Sequence, residues 1–311
     1  MRRLGLTFFV LAAIALVLFA VWKIQDMSPR HHFRLGQKAL KERNYEEAIG
    51  RFSRVIHLDS RFPEIYTWRG LCYYARHEYD LALADNNSAI QLAPNNASNY
   101  KTRGNTWFAK KDFEQAIADY SKAIELGGRD AAIFYDRGES YWLVEDYDHA
   151  ITDFNKALEL NPNMALALID RGLCYRAKKQ YEHAKADLHQ ALMADPPNFL
   201  RLDQQNPWGD EYQAWLLQYL AWLLATCPDA KVRDGAKAVE YATKANELTA
   251  WKRPHYLGTL SAAYAEVGKF DEAVKWAKQA LEHPEAYSPG ELEQDRQALK
   301  LYETRKPYRE E

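Results

Sequence analysis

The sequence predicts an all-α fold, a solenoid of stacked helix pairs behind a single membrane-spanning helix. Gly36, Gly70, Gly104, Gly138 and Gly172 recur every 34 residues, and Ala48, Ala82, Ala116, Ala150 and Ala184 follow each of them by twelve. Tyr73, Trp107, Tyr141 and Tyr175 stand three residues after the last four glycines. Ahead of the repeat, residues 4–22 form nineteen positions without a charge.

In chain order, the first element is that apolar run, bounded by Arg3 and Lys23. At about 1.5 Å per residue it spans roughly 28 Å as a helix, close to the hydrocarbon thickness of a bilayer. A core helix of a soluble domain carries a polar face, and this run has none. A cleaved signal peptide is the rival reading. It needs a shorter apolar region and a small-x-small site, and Leu18-Phe19-Ala20-Val21-Trp22 offers none. Residues 1–28 are therefore expected to be an anchor and a short juxtamembrane segment, with the lipid bilayer around residues 4–22. Arg2 and Arg3 favour a cytoplasmic amino terminus. The expected location is the cell membrane, single-pass, with the solenoid on the extracytoplasmic (periplasmic) side. Lys23, Arg30 and Arg34 reduce the charge asymmetry behind that orientation.

The repeats run 29–62, 63–96, 97–130, 131–164 and 165–198 without an insertion. Each is long enough for two helices parted near its fifteenth position. The small Gly and Ala suit close helix approach, and the aromatics fill wider gaps. One helix pair cannot bury its apolar face, but a stack of pairs can. Cys72 and Cys174 both stand at the tenth position and read as small buried hydrophobes. With Cys227 they form no C-x-x-C, which argues against a zinc or dithiol redox centre.

A second pattern runs in phase with the first. The seventh position of repeats 2 to 5 holds Arg69, Arg103, Arg137 and Arg171; the twenty-third holds Asp85, Asp119, Asp153 and Asp187. Where the arginine is missing, as at Leu35 and Leu260, the aspartate is missing too, replaced by Arg51 and Trp276. This pairing predicts four ion pairs, each joining the two helices of one repeat.

Strict periodicity then ends. Residues 199–211 are polar, contain Pro207 and Gly209, and read as a linker. Residues 212–287 read as two further units, the first degenerate, the second with Tyr264, Gly268, Ala273 and Ala280 in register. Within them, residues 221–227 are apolar but too short to form a second span. In 288–311, Ser288-Pro289-Gly290-Glu291 announces a capping box and a terminal helix followed by a tail.

Taken together, Phe134, Gly138, Tyr141, Ala150, Phe154 and Pro162 follow the pattern W-x2-L-G-x2-Y, A-x3-F, P. This resembles the tetratricopeptide repeat (TPR) family, across most of the chain after residue 28. The segments 220–229 and 299–310 are similar to the ends of many bacterial TPR proteins. The resemblance implies a right-handed superhelical TPR solenoid, here of a bacterial membrane-anchored type. It also implies a concave groove, lined by the first helix of each pair, that holds a peptide or helix of a partner. On the corresponding positions, the groove residues are expected to be Tyr74, Lys101, Asn105, Phe108, Tyr135, Glu139, Trp142, Ile169, Leu173 and Arg176, with Thr67, Leu71 and Leu166 beside them. Some family members clamp a terminal carboxylate through Lys and Asn; Lys101 and Asn105 match, but Ala132, Asp136 and Glu139 in the next repeat depart from the clamp.

Other functions find little support. A net charge of −2 gives no electrostatic pull toward nucleic acid. No G-x-S-x-G, H-E-x-x-H, P-loop or C-x-x-C-H occurs, so neither an enzyme nor a cofactor or metal is expected. The expected function is a protein–protein interaction scaffold at a membrane surface. The alternative is a homo-oligomeric structural protein of the cell envelope. Asn86 and Asn96 begin N-x-S triplets, relevant only in a glycosylating compartment.

Overall fold

The computed structural model describes residues 28–194 and 207–310. The anchor expected at residues 4–22 and most of the 199–211 linker lie outside the described residues. Among those described there are fifteen α-helices, one short 3-10 turn and no strand. The helices are α1 Pro29–Lys41, α2 Tyr45–Leu58, α3 Pro63–Ala75, α4 Tyr79–Leu92, α5 Ala97–Ala109, α6 Phe113–Glu125, α7 Ala131–Leu143, α8 Tyr147–Leu160, α9 Ala165–Ala177, α10 Tyr181–Met193, α11 Pro207–Thr226, α12 Gly235–Leu248, α13 Pro254–Glu266, α14 Phe270–Ala280 and α15 Pro289–Glu303. None of them is long and apolar enough to cross a membrane. The chain divides into two compact units between Val144 and Glu145, inside the fourth repeat.

The turn inside each repeat follows from local chemistry. Its fifteenth residue is left-handed every time: Arg43, His77, Lys111, Glu145 and Lys179 have φ between 57° and 64°. That geometry folds the next amide back onto the helix just ended, as Asn44 N–H to Ala39 O at 2.8 Å and Asp112 N–H to Trp107 O at 3.0 Å. The sixteenth residue starts the second helix. Asn44, Asp112 and Asp146 accept from the backbone N–H of Glu47, Gln115 and His149.

In the first unit the repeated glycines face the second helix of their own pair. A Cβ on Gly36 would lie 2.7 Å from the Phe52 ring, and one on Gly104 2.7 Å from the Tyr120 ring. Phe52 and Tyr120 anchor two cores, one with Ala39, Ala48, Val55, Ile65 and Cys72, the other with Ala116, Ala123 and Ile133. Repeat 2 solves the same contact differently. There Asn86 faces Gly70 and donates to Thr106 Oγ1 in α5 at 3.0 Å. Asn86 is buried, so a glycan on its side chain is incompatible with this packing.

In the second unit Gly172 faces Leu188 in the same way. Leu216, Leu217, Leu220, Leu223 and Leu224 bury the apolar α11 among its neighbours. α11 starts at Pro207, so residues 207–211 are helical where a linker was expected; proline at a first helical position leaves no intrahelical bond unmade. α15 begins with the predicted capping box: the Glu291 N–H donates to Ser288 Oγ and the Ser288 N–H to Glu291 Oε2. It packs on α14 and α13.

The arginine–aspartate pairs are two-point forks. Nε and Nη2 reach Oδ2 and Oδ1 at 2.8 and 2.6 Å in Arg69–Asp85, at 2.7 and 2.7 Å in Arg103–Asp119, and at 2.8 and 2.6 Å in Arg171–Asp187. Arg137 and Asp153 stand on opposite sides of the unit boundary. Each guanidinium also has a third partner absent from the sequence reading. Nη1 donates to the twenty-fifth residue of the preceding repeat: Ser53, Asn87, Ser121 and Asn155 for Arg69, Arg103, Arg137 and Arg171. Arg69, Arg103 and Arg171 therefore each tie three successive helices.

Candidate functional site

α3, α5 and α7 lie side by side in the first unit, because the first helix of each repeat packs beside the next. Their fifth, ninth and twelfth positions share one face: Thr67, Leu71 and Tyr74; Lys101, Asn105 and Phe108; Tyr135, Glu139 and Trp142. The face is aromatic and only partly covered. Leu71 and Tyr74 are each 37% exposed, large for apolar side chains on a solvent face, and Tyr135 and Trp142 are half-buried.

The polar groups of the face are largely engaged. Lys101 Nζ donates to both carboxylate oxygens of Asp130 at 3.1 and 3.3 Å, and Asp130 also caps α7 through the Ile133 N–H. Asn105 Oδ1 accepts from the Tyr120 hydroxyl at 2.9 Å. Lys101 and Asn105, the two residues that match a carboxylate clamp, are therefore held by neighbours inside the repeat stack. Phe108 joins the Tyr120 core and meets the Phe113 ring at 5.5 Å. It is a packing residue with one edge at the face. Tyr74 leans on Tyr79, ring centres 5.7 Å apart.

Asp136 is not among the groove residues expected from repeat position. It sits beside Tyr135 on α7, and burial pushes its carboxyl up to about 6, with Lys101 drawing it down and Asp130 raising it. The same pocket raises the Tyr120 phenol, first by burial and then by Asp136 and Glu139. Asp136 and Glu139 make this part of the face acidic, and Lys101, whose charge draws Asp136 down, is bonded to Asp130. Only the unlike neighbours of one helix position signalled this in the sequence: the sixth residue of repeat 3 is Thr102, that of repeat 4 is Asp136.

The three groove residues expected from repeat 5 lie in the second unit and behave differently. Ile169 is 3% exposed and belongs to the core, which removes it from any contact surface. Leu173 is half-buried. Arg176 is taken: its Nη1 binds Glu310 Oε1 at 2.9 Å and its guanidinium lies over the Tyr219 ring at 5.1 Å. Glu310 is 134 positions away, so no repeat pattern could have revealed it.

Among the described residues no cluster of His, Cys, Asp and Glu is arranged to hold a metal ion. The cysteines are buried and unbridged. Burial lifts the Cys72 thiol to about 11 and the Cys174 thiol to about 12, far from a nucleophile's range.

Comparison with known proteins agrees with the helical repeat. Sperm-associated antigen 1 from rat and from human is 31% identical over 61 residues, a match of 20% of this chain and 7% of each relative. The chain thus spans only a small part of those relatives. Among solved structures, pilF from Pseudomonas aeruginosa superposes with a TM-score of 0.58 at 17% identity, covering 75% of this chain and 96% of that one. The C-terminal part of a TPR repeat-containing protein from Cytophaga hutchinsonii gives 0.57 at 21%, covering 80% and 94%. At such identities these two likenesses establish the fold alone. Four family models described as tetratricopeptide or TPR repeats match residues 33–97, 104–144, 131–164 and 165–198, in phase with the glycine and alanine pattern, and the chain belongs to the tetratricopeptide repeat family.

Proposed function

We propose that this chain is a membrane-anchored scaffold whose α3–α5–α7 face holds a peptide or helical segment of a partner protein. Tetratricopeptide repeats generally mediate protein–protein interactions. The observation that carries the reading to this face is the row of partly exposed Leu71, Tyr74, Tyr135 and Trp142 around a half-buried Asp136 whose carboxyl is pushed up by desolvation. Aromatic side chains give large contact area for little lost conformational freedom, which makes them binding hot spots. A carboxylate in a poorly solvated site gains most from an incoming cation. The partner segment is thus apolar or aromatic with a lysine or arginine directed at Asp136. Lys101 and Arg176 do not set its register, since their charges are committed inside the chain.

The membrane part of the proposal rests on residues 4–22, uncharged throughout and apolar but for Thr7, with Arg2 and Arg3 before them. It puts residues 24–311 on the periplasmic side of a bacterial membrane. Carbonate extraction with protease access to spheroplasts tests it. Release of the chain without detergent, or a mature amino terminus beyond residue 20, refutes it.

The scaffold reading is tested by copurification from a detergent extract, mass spectrometry, and titration of the identified partner. A partner that binds the native chain and is lost with Tyr135→Ala and Trp142→Ala supports it. A chain that only self-associates by light scattering supports a structural oligomer instead.

A further inference from the structure

In the second unit, the segment after α15 runs back across the ends of α9, α11 and α13, where it meets Arg176, Ala225, Thr226 and Glu266. Arg305, left-handed at φ 58°, turns the chain out of the helix. The Tyr308 ring lies 5.9 Å from Trp222, and its hydroxyl accepts from Gln294 Nε2 at 3.2 Å. Arg309 meets Glu266 at 2.5 Å and donates to Ala225 O at 3.2 Å. The Glu310 N–H donates to Thr226 O at 2.9 Å while its carboxylate binds Arg176. The receiving side is built, not incidental. Arg176 is braced on Tyr219, and Glu266 is braced by Arg233 at 3.0 Å. The last carbonyls of α11 are helix-end acceptors without an intrahelical donor.

Three consecutive residues thus fill three complementary subsites: an aromatic ring on Trp222, a guanidinium on Glu266, a carboxylate on Arg176. Main-chain and side-chain bonds to the α11 carbonyls fix the direction. This is how an extended peptide ligand is held, with backbone bonds for affinity and pockets for identity. A cleft of about 280 Å3 adjoins this face, lined by Arg176, Tyr219, Trp222 and Glu310 together with Gln218 and His255.

We propose that this face, formed by Arg176, Tyr219, Trp222 and Glu266, is a second peptide site, separate from the α3–α5–α7 face, specific for an extended aromatic–Arg–Glu segment of a partner protein and occupied in the resting chain by its own residues 308–310. The tail is then a tethered competitor. A tether raises the local concentration of a ligand to the order of millimolar, so a free segment of equal quality binds only when the tail is loosened or outcompeted.

The probe is a fluorescein-labelled peptide of residues 304–310, titrated by anisotropy into the full chain and into the full chain carrying Arg309→Ala and Glu310→Ala. The variant is expected to bind the peptide at least about tenfold more tightly than the native chain. Adding Arg176→Ala, or replacing the last glutamate of the peptide by alanine, is expected to reverse the gain by about tenfold. Equal affinities in native and variant chains overturn the proposal, and so does no binding to a variant with unchanged circular dichroism. Hydrogen exchange on the native chain guards against a tail that is merely core. Residues 306–310 should exchange by local opening much faster than residues 216–224 of α11; equal protection overturns the proposal. Light scattering separates the remaining occupant: a dimer that dissociates on adding the peptide assigns the site to a second copy and overturns the partner assignment.

Discussion

Arg103 and Asp119 meet as a two-point fork, Nε to Oδ2 and Nη2 to Oδ1 both at 2.7 Å, with the aspartate only 5% exposed. The fork crosses from α5 to α6, and the third guanidinium nitrogen reaches Asn87 in α4 at 2.7 Å. Removing the arginine leaves a buried carboxylate without its cation, which costs about 3 kcal/mol. Removing the aspartate leaves a guanidinium that keeps Asn87 and some solvent, and costs less. Arg103→Ala and Asp119→Ala should both destabilise. The double variant should lose less than their sum by at least about 1 kcal/mol. Denaturant unfolding followed by circular dichroism measures the cycle, and additive losses would show that the fork carries no coupling.

Gly104 and Gly50 predict opposite signs for the same substitution. Both are helical glycines, and alanine favours a helix by about 1 kcal/mol over glycine. At Gly50 a Cβ meets nothing within 4 Å, so Gly50→Ala should stabilise by up to that amount. At Gly104 it would sit 2.7 Å from the Tyr120 ring, itself 1% exposed and bonded to Asn105. Overpacking of this kind costs about 1–3 kcal/mol, so Gly104→Ala should be neutral to destabilising. Thermal unfolding of the two variants separates them, and a rise in melting temperature for Gly104→Ala would contradict the packing described.

Asp136 makes stability depend on pH in an unusual direction. Its carboxyl rises from 3.8 to about 6 on folding, because burial penalises the charged form. The folded chain therefore binds the proton more readily than the unfolded chain. This group's contribution is most favourable below about pH 4, falls as pH rises toward 6, and is constant above that. Asp136→Asn, which stays neutral, should be more stable than the native chain at pH 7 by at most about 3 kcal/mol, with the difference vanishing near pH 4. Paired unfolding curves at the two pH values check it. A difference that grows on acidification would mean that the carboxylate is well solvated or salt-bridged when charged.

The helix pairs, the small residues at their crossings and the Arg–Asp forks were legible because each is a property of one repeat, copied at a fixed spacing. The groove was legible only in part. Position within a repeat placed Tyr74, Tyr135 and Trp142 on a shared face, but it could not tell that Ile169 at the equivalent position is core. Lys101 reads as a groove cation until Asp130, 29 residues on, is seen to hold it. Arg176 reads likewise until the chain's far end returns to it. These partners are set by tertiary approach, to which a repeat pattern is blind. The third bond of each arginine could have been found, since Ser53, Asn87, Ser121 and Asn155 share one position and all carry an acceptor oxygen.

Binding to the α3–α5–α7 face should divide its residues into two classes. Tyr74, Tyr135 and Trp142 are partly exposed and stand apart from the cores built on Phe52 and Tyr120. Truncating them should leave the fold intact and weaken partner binding by about 2 kcal/mol or more at a true hot spot. Phe108 packs in the Tyr120 core, so Phe108→Ala should lower stability by about 3 kcal/mol and blur any reading of its affinity. Lys101→Ala should change binding little, because the ammonium is committed to Asp130 and half-screened by solvent. Asp136→Asn should weaken a partner that presents a lysine or arginine, and that loss should also appear in the native chain as pH falls through about 6. Calorimetric titration of the copurified partner, at pH 7.5 and pH 5, with circular dichroism on each variant, measures all six. Full affinity in Tyr135→Ala and Trp142→Ala moves the binding surface elsewhere on the chain, and a pH-independent affinity removes Asp136 from it.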